Sequence, residues 1–447
     1  MTSPQSSPPE KADGDSTRAV LLSIVVVAGL AELAYAILNL SAMPVYLRDS
    51  MGYGESAVTL IGTAFLVCEG VMRGPFGILG DRIGRKWLVM AGPCVSAFTS
   101  LLTLAVAPEQ WYLFAFLRVL DGLGAAALWP AAFAMIADVA PDHRRSQSMG
   151  LFNVTYLVAI SLGPFLGGVA NDLTRTVLYA LNPNGDLANN VDPRHASFYL
   201  VSVLFAATAV AAWWRVPHIA PHHARSPRRR ETGFDFRSFA RALRQIPETL
   251  LIAFVTFLGI GMVMLLVKLF ALDEFRLSET EFGALLLVPA LVIGLASVPL
   301  GTVGDRLGKV RAVRLGLALC AFSMWALILI RSHFALILCG SLIGVGFVIA
   351  FPSWMAYVST SCDPSQRGAV VGSVGTAQGL GAMVGAPVGG YLYEHAHIRI
   401  SALPWLNSHY APFIGCAALL FTAWLLSLTT IGEDGPRHSG TRRQAAA

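Results

Sequence analysis

The sequence predicts an all-α polytopic membrane protein with twelve transmembrane helices in two pseudo-symmetric six-helix bundles. Three observations predict it. The 447 residues are 55% hydrophobic and only 13% charged, a balance that suits a chain dissolved in lipid and not in water. Apolar runs of roughly 20 residues recur, each long enough to cross about 30 Å of hydrocarbon. A charged, glycine-rich hairpin occurs twice, about half a chain apart, as GILGDRIGRK from Gly77 to Lys86 and GTVGDRLGK from Gly301 to Lys309. Duplicated bundles are a common architecture of secondary transporters.

The first six spans are expected near 19–40, 58–79, 87–106, 111–137, 148–169 and 196–216, and the second six near 250–271, 282–303, 312–330, 334–358, 369–391 and 411–431. Residues 1–18 read as a disordered polar tail, 19–216 as one bundle, 217–246 as a linker, 247–431 as the second bundle and 432–447 as a polar tail. The first apolar run is too long for a signal-peptide core. Loops on the side of the N-terminus carry roughly 22 Lys and Arg, against roughly 6 on the other side, which predicts cytoplasmic termini. The basic balance needs no nucleic-acid partner.

The linker contains His222, His223 and Arg228-Arg229-Arg230. Residues 234–243 read either as an amphipathic surface helix, with Phe234, Phe236 and Phe239 inward, or as a tether. The longest outer loop is expected from about 170 to 195, with a turn at Asn182-Pro183-Asn184-Gly185. His395, His397 and His409 fall in another outer loop, and their spacing does not make a metal site. The six cysteines Cys68, Cys94, Cys320, Cys339, Cys362 and Cys416 form no CxxC pair and read as small core residues.

In the hairpin, Gly77 and Gly84 permit the turn and close helix approach. Asp81 can approach a helix N-terminus, while Arg82, Arg85 and Lys86 face water and headgroups. Gly301, Asp305, Arg306 and Gly308 repeat the pattern. A tight turn without a switching role is the other reading of a single copy. The repeat extends further. Trp129-Pro130 answers Phe351-Pro352, Asp138 with Pro141 and Arg144 answers Asp363-Pro364 with Arg367, and GPFLGG at 163–168 answers GAPVGG at 385–390.

These residues resemble the major facilitator superfamily over nearly the whole chain, from about Ala19 to Ile431. The hairpin is the most specific element. Arg118 and Gly122, within RVLDGLGAA, resemble a second family signature, which often has glutamine where this chain has Asp121. Gly163, Pro164, Gly167 and Gly168 resemble a helix-bending signature of proton-driven exporters, although position 159 is Ala159 where the longer form has glycine. The resemblance implies a major facilitator fold of the twelve-span drug/proton antiporter branch. Spans 1, 4, 7 and 10 would then line a cavity, spans 2, 5, 8 and 11 would join the halves, and rocking would expose the cavity to each side in turn.

Ionisable groups inside hydrocarbon are functional candidates by default. The first half places Glu32, Glu69, Arg73, Arg118 and Asp121 there, and the second half only Lys268, which reads as snorkelling to the outer surface. At about 1.5 Å per residue, Glu32, Glu69, Arg118 and Asp121 fall in one slab roughly 10–16 Å below the outer span ends. Glu32 is the first choice for a proton-coupling residue and Asp121 the second. The other reading of Glu32 is a static hydrogen bond, and that of Arg118–Asp121 is a fixed ion pair. Glu69 and Arg73, four apart, read as a structural pair. Tyr35, Asn39, Trp129, Phe351, Trp354 and Tyr357 are candidates for an aromatic substrate cavity suited to bulky amphipathic or cationic molecules, or else ordinary packing residues.

The expected function is proton-coupled export of small amphipathic compounds across the cell membrane by a monomer in the lipid bilayer. The proton gradient supplies the energy, and no cofactor takes part. Uptake or facilitated diffusion of a sugar or organic anion is the alternative, although spans 7 and 10 lack a dense set of Gln and Asn. A receptor or scaffold has no need of midmembrane acids. No P-loop, His-Glu-x-x-His or GxSxG motif points to an enzyme.

Overall fold

The computed structural model describes residues 10–140, 145–181, 191–217, 246–301, 303–360, 367–398 and 403–432. The linker features at 218–245, the turn at 182–185, Pro141, Arg144, Asp363, Pro364 and Cys362 lie outside them. All twelve expected spans are helical. They are span 1 (Arg18–Ser50), span 2 (Glu55–Ile83), span 3 (Arg85–Thr103), span 4 (Trp111–Val139), span 5 (Arg145–Leu181), span 6 (His195–Arg215), span 7 (Pro247–Met264, continued by Val267–Phe275), span 8 (Glu279–Gly301), span 9 (Lys309–Leu329), span 10 (His333–Thr360), span 11 (Arg367–His395) and span 12 (Ala411–Thr430).

Nine of them, among the described residues, are long and apolar enough to cross a membrane on their own composition; spans 3 and 11 fall short of this, whereas span 8 is as apolar as those nine. Span 3 is diluted by Ser96, Thr99, Ser100 and Thr103, a buried helical stripe. In span 11 the dilution comes from glycines placed where other helices press close.

The packing repeats. In the first half span 1 packs on spans 5 and 6, span 4 on spans 2 and 3, and span 3 on span 6. In the second half span 7 packs on spans 11 and 12, span 10 on spans 8 and 9, and span 9 on span 12. Each pairing maps onto its counterpart six spans later. The close approaches repeat as well. A Cβ on Gly92 would lie 2.3 Å from the Gly124 carbonyl oxygen, and one on Gly316 would lie 2.4 Å from that of Gly346. Spans 2 and 11, and spans 5 and 8, join the halves.

Three boundaries differ from the expectation. The first helix already begins at Glu10, so part of the expected polar tail is helical. Span 5 continues to Leu181, well into the expected outer loop, because nothing in residues 170–181 breaks a helix and Asn171 finds buried partners. Span 7 breaks after Met264 and resumes at Val267. Span 1 also departs from a regular helix, with π turns at Ile37–Ala42 and Tyr46–Ser50 around Pro44. Proline lacks the N–H that the carbonyl four residues earlier would accept, and a wider turn accommodates its ring.

Candidate functional site

A cavity of about 170 Å³ lies within the first half, with span 7 closing one side. Its wall includes Glu32, Tyr35 and Asn39 from span 1, Glu69 and Arg73 from span 2, Arg118 and Trp129 from span 4, Tyr156 from span 5 and Leu265 from the break in span 7. Three of the four expected midmembrane charges therefore share one wall. The fourth, Asp121, sits behind Arg118.

Arg118 and Asp121 are 2% and 1% exposed and pair at 2.7 Å. Asp121 also accepts from the Thr99 hydroxyl, and Arg118 donates to the Asn39 side-chain oxygen. The guanidinium lies 4.7 Å from the centre of the Phe65 ring. Removing either partner of such a pair would strand a charge that burial has already desolvated. Asn39 reaches Arg118 from the π turn of span 1, so the irregular backbone serves the network. The Tyr35 hydroxyl shares a 3.0 Å hydrogen bond with Ser96. Arg118 Nε has no acceptor among the described residues.

The two remaining acids differ. Arg73 donates to Glu69 at 2.5 Å, the expected i, i+4 pair. Glu32 is 5% exposed and takes part in no ion pair among the described residues. The groups that act on it are Glu69, Arg73 and the hydrogen-bonding Tyr156 hydroxyl. Of the buried acids in this half, Glu32 is thus the one without a dedicated cation.

The expected aromatic cavity is divided. Tyr35, Asn39 and Trp129 line the cavity just described, whereas Phe351 and Trp354 line a second one of about 180 Å³ between spans 7, 9, 10, 11 and 12. That wall is almost wholly apolar, and the buried Trp354 Nε1 has no acceptor among the described residues. Tyr357 lies on neither wall but in the apolar core beside it.

Lys268 contradicts the snorkelling expectation. It is 1% exposed and points between the halves, donating at 2.6 Å to Glu279, at 2.7 Å to the Ser41 hydroxyl and at 3.1 Å to the Ser41 carbonyl. Nor is it the second half's only buried charge, since Glu279 is 5% exposed and also accepts from Asn171 at 3.0 Å. Reasoning from span ends missed this cluster because Glu279 precedes the expected start of span 8. Nothing local marks it as buried.

The bending signature packs as its small residues predict. Gly163 lies against the backbone of Ala36 and Ile37, Gly167 against Ser41 and Gly168 against the backbone of Glu279; Pro164 is inside the helix. In the hairpin, Gly84 and Gly308 share the positive φ (96° and 88°) that ends one helix and starts the next. Arg85 donates to Asp81 at 2.9 Å and also pairs with Asp138 at the end of span 4. Lys86 donates to the Trp213 carbonyl at 2.8 Å. Arg82 and Arg306 are exposed. Gly77 faces Pro130. Gly301 and Asp305 fall at the equivalent turn. Of the cysteines, Cys320, Cys339 and Cys416 are buried and Cys68 and Cys94 half-buried. His409 pairs with Glu274 at 2.7 Å.

The sequence model of the Major Facilitator Superfamily matches residues 24–253 and again 249–446. The chain belongs to this superfamily. It is a multi-pass membrane transporter and not an enzyme. Among relatives it is 23% identical to "Multidrug resistance protein 2" of Bacillus subtilis (strain 168), over 89% of this chain and 91% of that one. It is 26% identical to "Inner membrane transport protein YajR" of Escherichia coli (strain K12), over 88% and 79%. The solved nucleoside transporter NupG superposes with a TM-score of 0.73 at 12% identity, covering 92% of this chain and 99% of that one; this likeness bears on the fold alone. The major facilitator fold accounts for the six-span repeat, and a small-molecule substrate within the membrane goes with the superfamily.

Proposed function

We propose that the chain is a proton-coupled exporter of small amphipathic compounds, with Glu32 as the coupling residue. The observation that carries this reading is the contrast among the buried acids. Asp121 is held by Arg118 and Thr99, and Glu69 by Arg73, while Glu32 faces the cavity without its own cation. Burial favours the neutral form of a carboxyl group, and access to water or a cation favours the charged form. A cavity opened to each side in turn would move Glu32 between these settings, taking up a proton on one side and releasing it on the other. Substrate and proton would compete for the same wall, which is the minimum that antiport requires.

The aromatic side chains Tyr35, Phe65, Trp129 and Tyr156 give the cavity apolar faces, and Arg118 Nε offers one donor. This combination suits a flat molecule with a single polar edge. The similarity to a multidrug resistance protein supports export. The loop-charge bias supports cytoplasmic termini in a cell membrane. The Asp81–Arg85–Asp138 cluster is assigned to gating on the terminal side.

The test is transport in proteoliposomes with an imposed pH gradient, screened with cationic, neutral and anionic amphipaths. Accumulation driven by the gradient, and lost in Glu32→Gln while the variant remains folded, is the expected result. Equal proton-driven accumulation by parent and variant would remove Glu32 from the coupling role. Substrate flux indifferent to the gradient would remove coupling altogether.

A further inference from the structure

Among the described residues, polar contacts that join the halves lie at the end away from the termini, and two of them are copies of one device. Asp172 on span 5 accepts the Thr280 N–H at 3.1 Å, in the first turn of span 8. Glu394 on span 11 accepts the Ser56 N–H at 2.9 Å, in the first turn of span 2. Each carboxylate belongs to one half and each helix start to the other. The first N–H groups of a helix have no intrahelical acceptor and carry partial positive charge, so a carboxylate there is both a cap and a charge contact.

The surroundings repeat as well. Beside Asp172, a Cβ on Gly168 would lie 2.4 Å from the Glu279 carbonyl oxygen; beside Glu394, one on Gly390 would lie 2.8 Å from that of Glu55. The spacing that relates Gly168 to Gly390 also relates Asp172 to Glu394. The spacing that relates Gly77 to Gly301 also relates Ser56 to Thr280 and Glu55 to Glu279. Glycine brings the helices together, and a carboxylate one turn further on closes the corner. Between the corners Arg48 donates to Asp273 at 2.7 and 2.8 Å, and the Tyr393 hydroxyl donates to Asp273 at 2.7 Å. The corners differ beneath the surface. Glu279 turns inward to Lys268, while Glu55, at the matching position, is part-exposed.

We propose that Asp172 and Glu394 are gating residues of the transport cycle, two symmetry-related cross-half caps that hold this end shut and must release together for it to open. Because both tie the same two rigid bundles, loosening one corner raises the opening probability at the other. The buried Lys268–Glu279 pair bonds across to Ser41 and Asn171 of the first half and so gives the span 5–span 8 corner an added latch, and Glu394→Ala should open the structure more readily than Asp172→Ala.

Hydrogen exchange on the full chain in lipid nanodiscs tests this without a known substrate. The parent is compared with Asp172→Ala, Glu394→Ala and the double variant. Asp172→Asn and Glu394→Gln serve as conservative controls that keep an acceptor oxygen. Each alanine variant is expected to raise exchange by roughly tenfold, equivalent to ~1.4 kcal/mol, in 279–284 and also in 55–60. The double variant should exceed either, and the Asn and Gln variants should lie nearer the parent. Faster exchange confined to the substituted corner would reduce each carboxylate to a local helix cap and overturn the gate. So would unchanged exchange at both corners. Protection in spans 3 and 9 reports folding, so general loss of structure is read separately from opening.

Discussion

The two halves share a backbone plan but not an interior. Gly92 against Gly124 is repeated by Gly316 against Gly346, and the turn at Gly84 is repeated at Gly308. Side-chain chemistry diverges at the matching positions inside. By the spacing that relates Gly77 to Gly301, Glu32 corresponds to Thr256. By the spacing that relates Trp129 to Phe351, Asp121 corresponds to Ile343. Thr256 and Ile343 both line the second half's apolar cavity, whereas the first half's cavity is walled by charges. The contacts that set helix approach tolerate little change in volume, so both copies need small residues there. The cavity walls carry no such restriction, and one copy can hold titratable groups while the other offers an apolar surface.

Exchanging matched residues tests this division. The largest effect is expected at the acid. Glu32→Gln should abolish proton-driven accumulation, because the amide cannot take up a proton, while Thr256→Val should leave the proton dependence as it is. Proteoliposome flux at several pH gradients measures both, and a larger loss of proton dependence in Thr256→Val would reverse the division.

The next effect concerns packing. A Cβ on Gly389 would lie 2.0 Å from the Met262 carbonyl oxygen, whereas one on Gly167 would meet first the Ser41 hydroxyl at 2.7 Å. Backbone cannot swing aside as a hydroxyl can. Gly389→Ala should therefore cost the upper part, and Gly167→Ala the lower part, of the ~1–3 kcal/mol typical of overpacking. Thermal unfolding in detergent compares the two, and equal midpoints would mean that both sites relax alike. The larger Gly167→Leu should go beyond stability and impair closure or cause leak.

The hairpins give a smaller contrast. Arg85 serves two carboxylates and is 11% exposed, while Lys309 reaches the Thr360 hydroxyl at 3.3 Å. Arg85→Ala should cost about 1.5–3 kcal/mol and Lys309→Ala about 1 kcal/mol or less, the ranges for charged and ordinary hydrogen bonds. Urea midpoints rank them, and a costlier Lys309→Ala would place the tighter hairpin in the second half. Asp81→Asn should lower transport with little change in substrate affinity, because Asp81 is off the cavity wall.

Much of this was legible in the chain. Apolar runs of membrane length place twelve helices, because a backbone in lipid has to satisfy its own hydrogen bonds. The repeated hairpin and the two GxxxGG-type segments announce the duplication, because turns and close approaches demand particular small residues at particular places. Helical rise alone brings Glu32, Glu69 and Arg118 to one level, and the three do share a cavity wall. Tertiary structure decided which acid acquires a cation: Asp121 and Glu69 have arginines three and four residues away, but Glu32 is left unpaired by what spans 2 and 5 bring to it. It also decided that Lys268 turns inward, since Ser41, Asn171 and Glu279 come from three other spans and no local pattern links them. Periodicity and turn chemistry act over one or two turns of chain and can be read along it. The partners of a buried charge are set by how helices far apart in sequence lie against one another, and that is fixed only once the two bundles have packed.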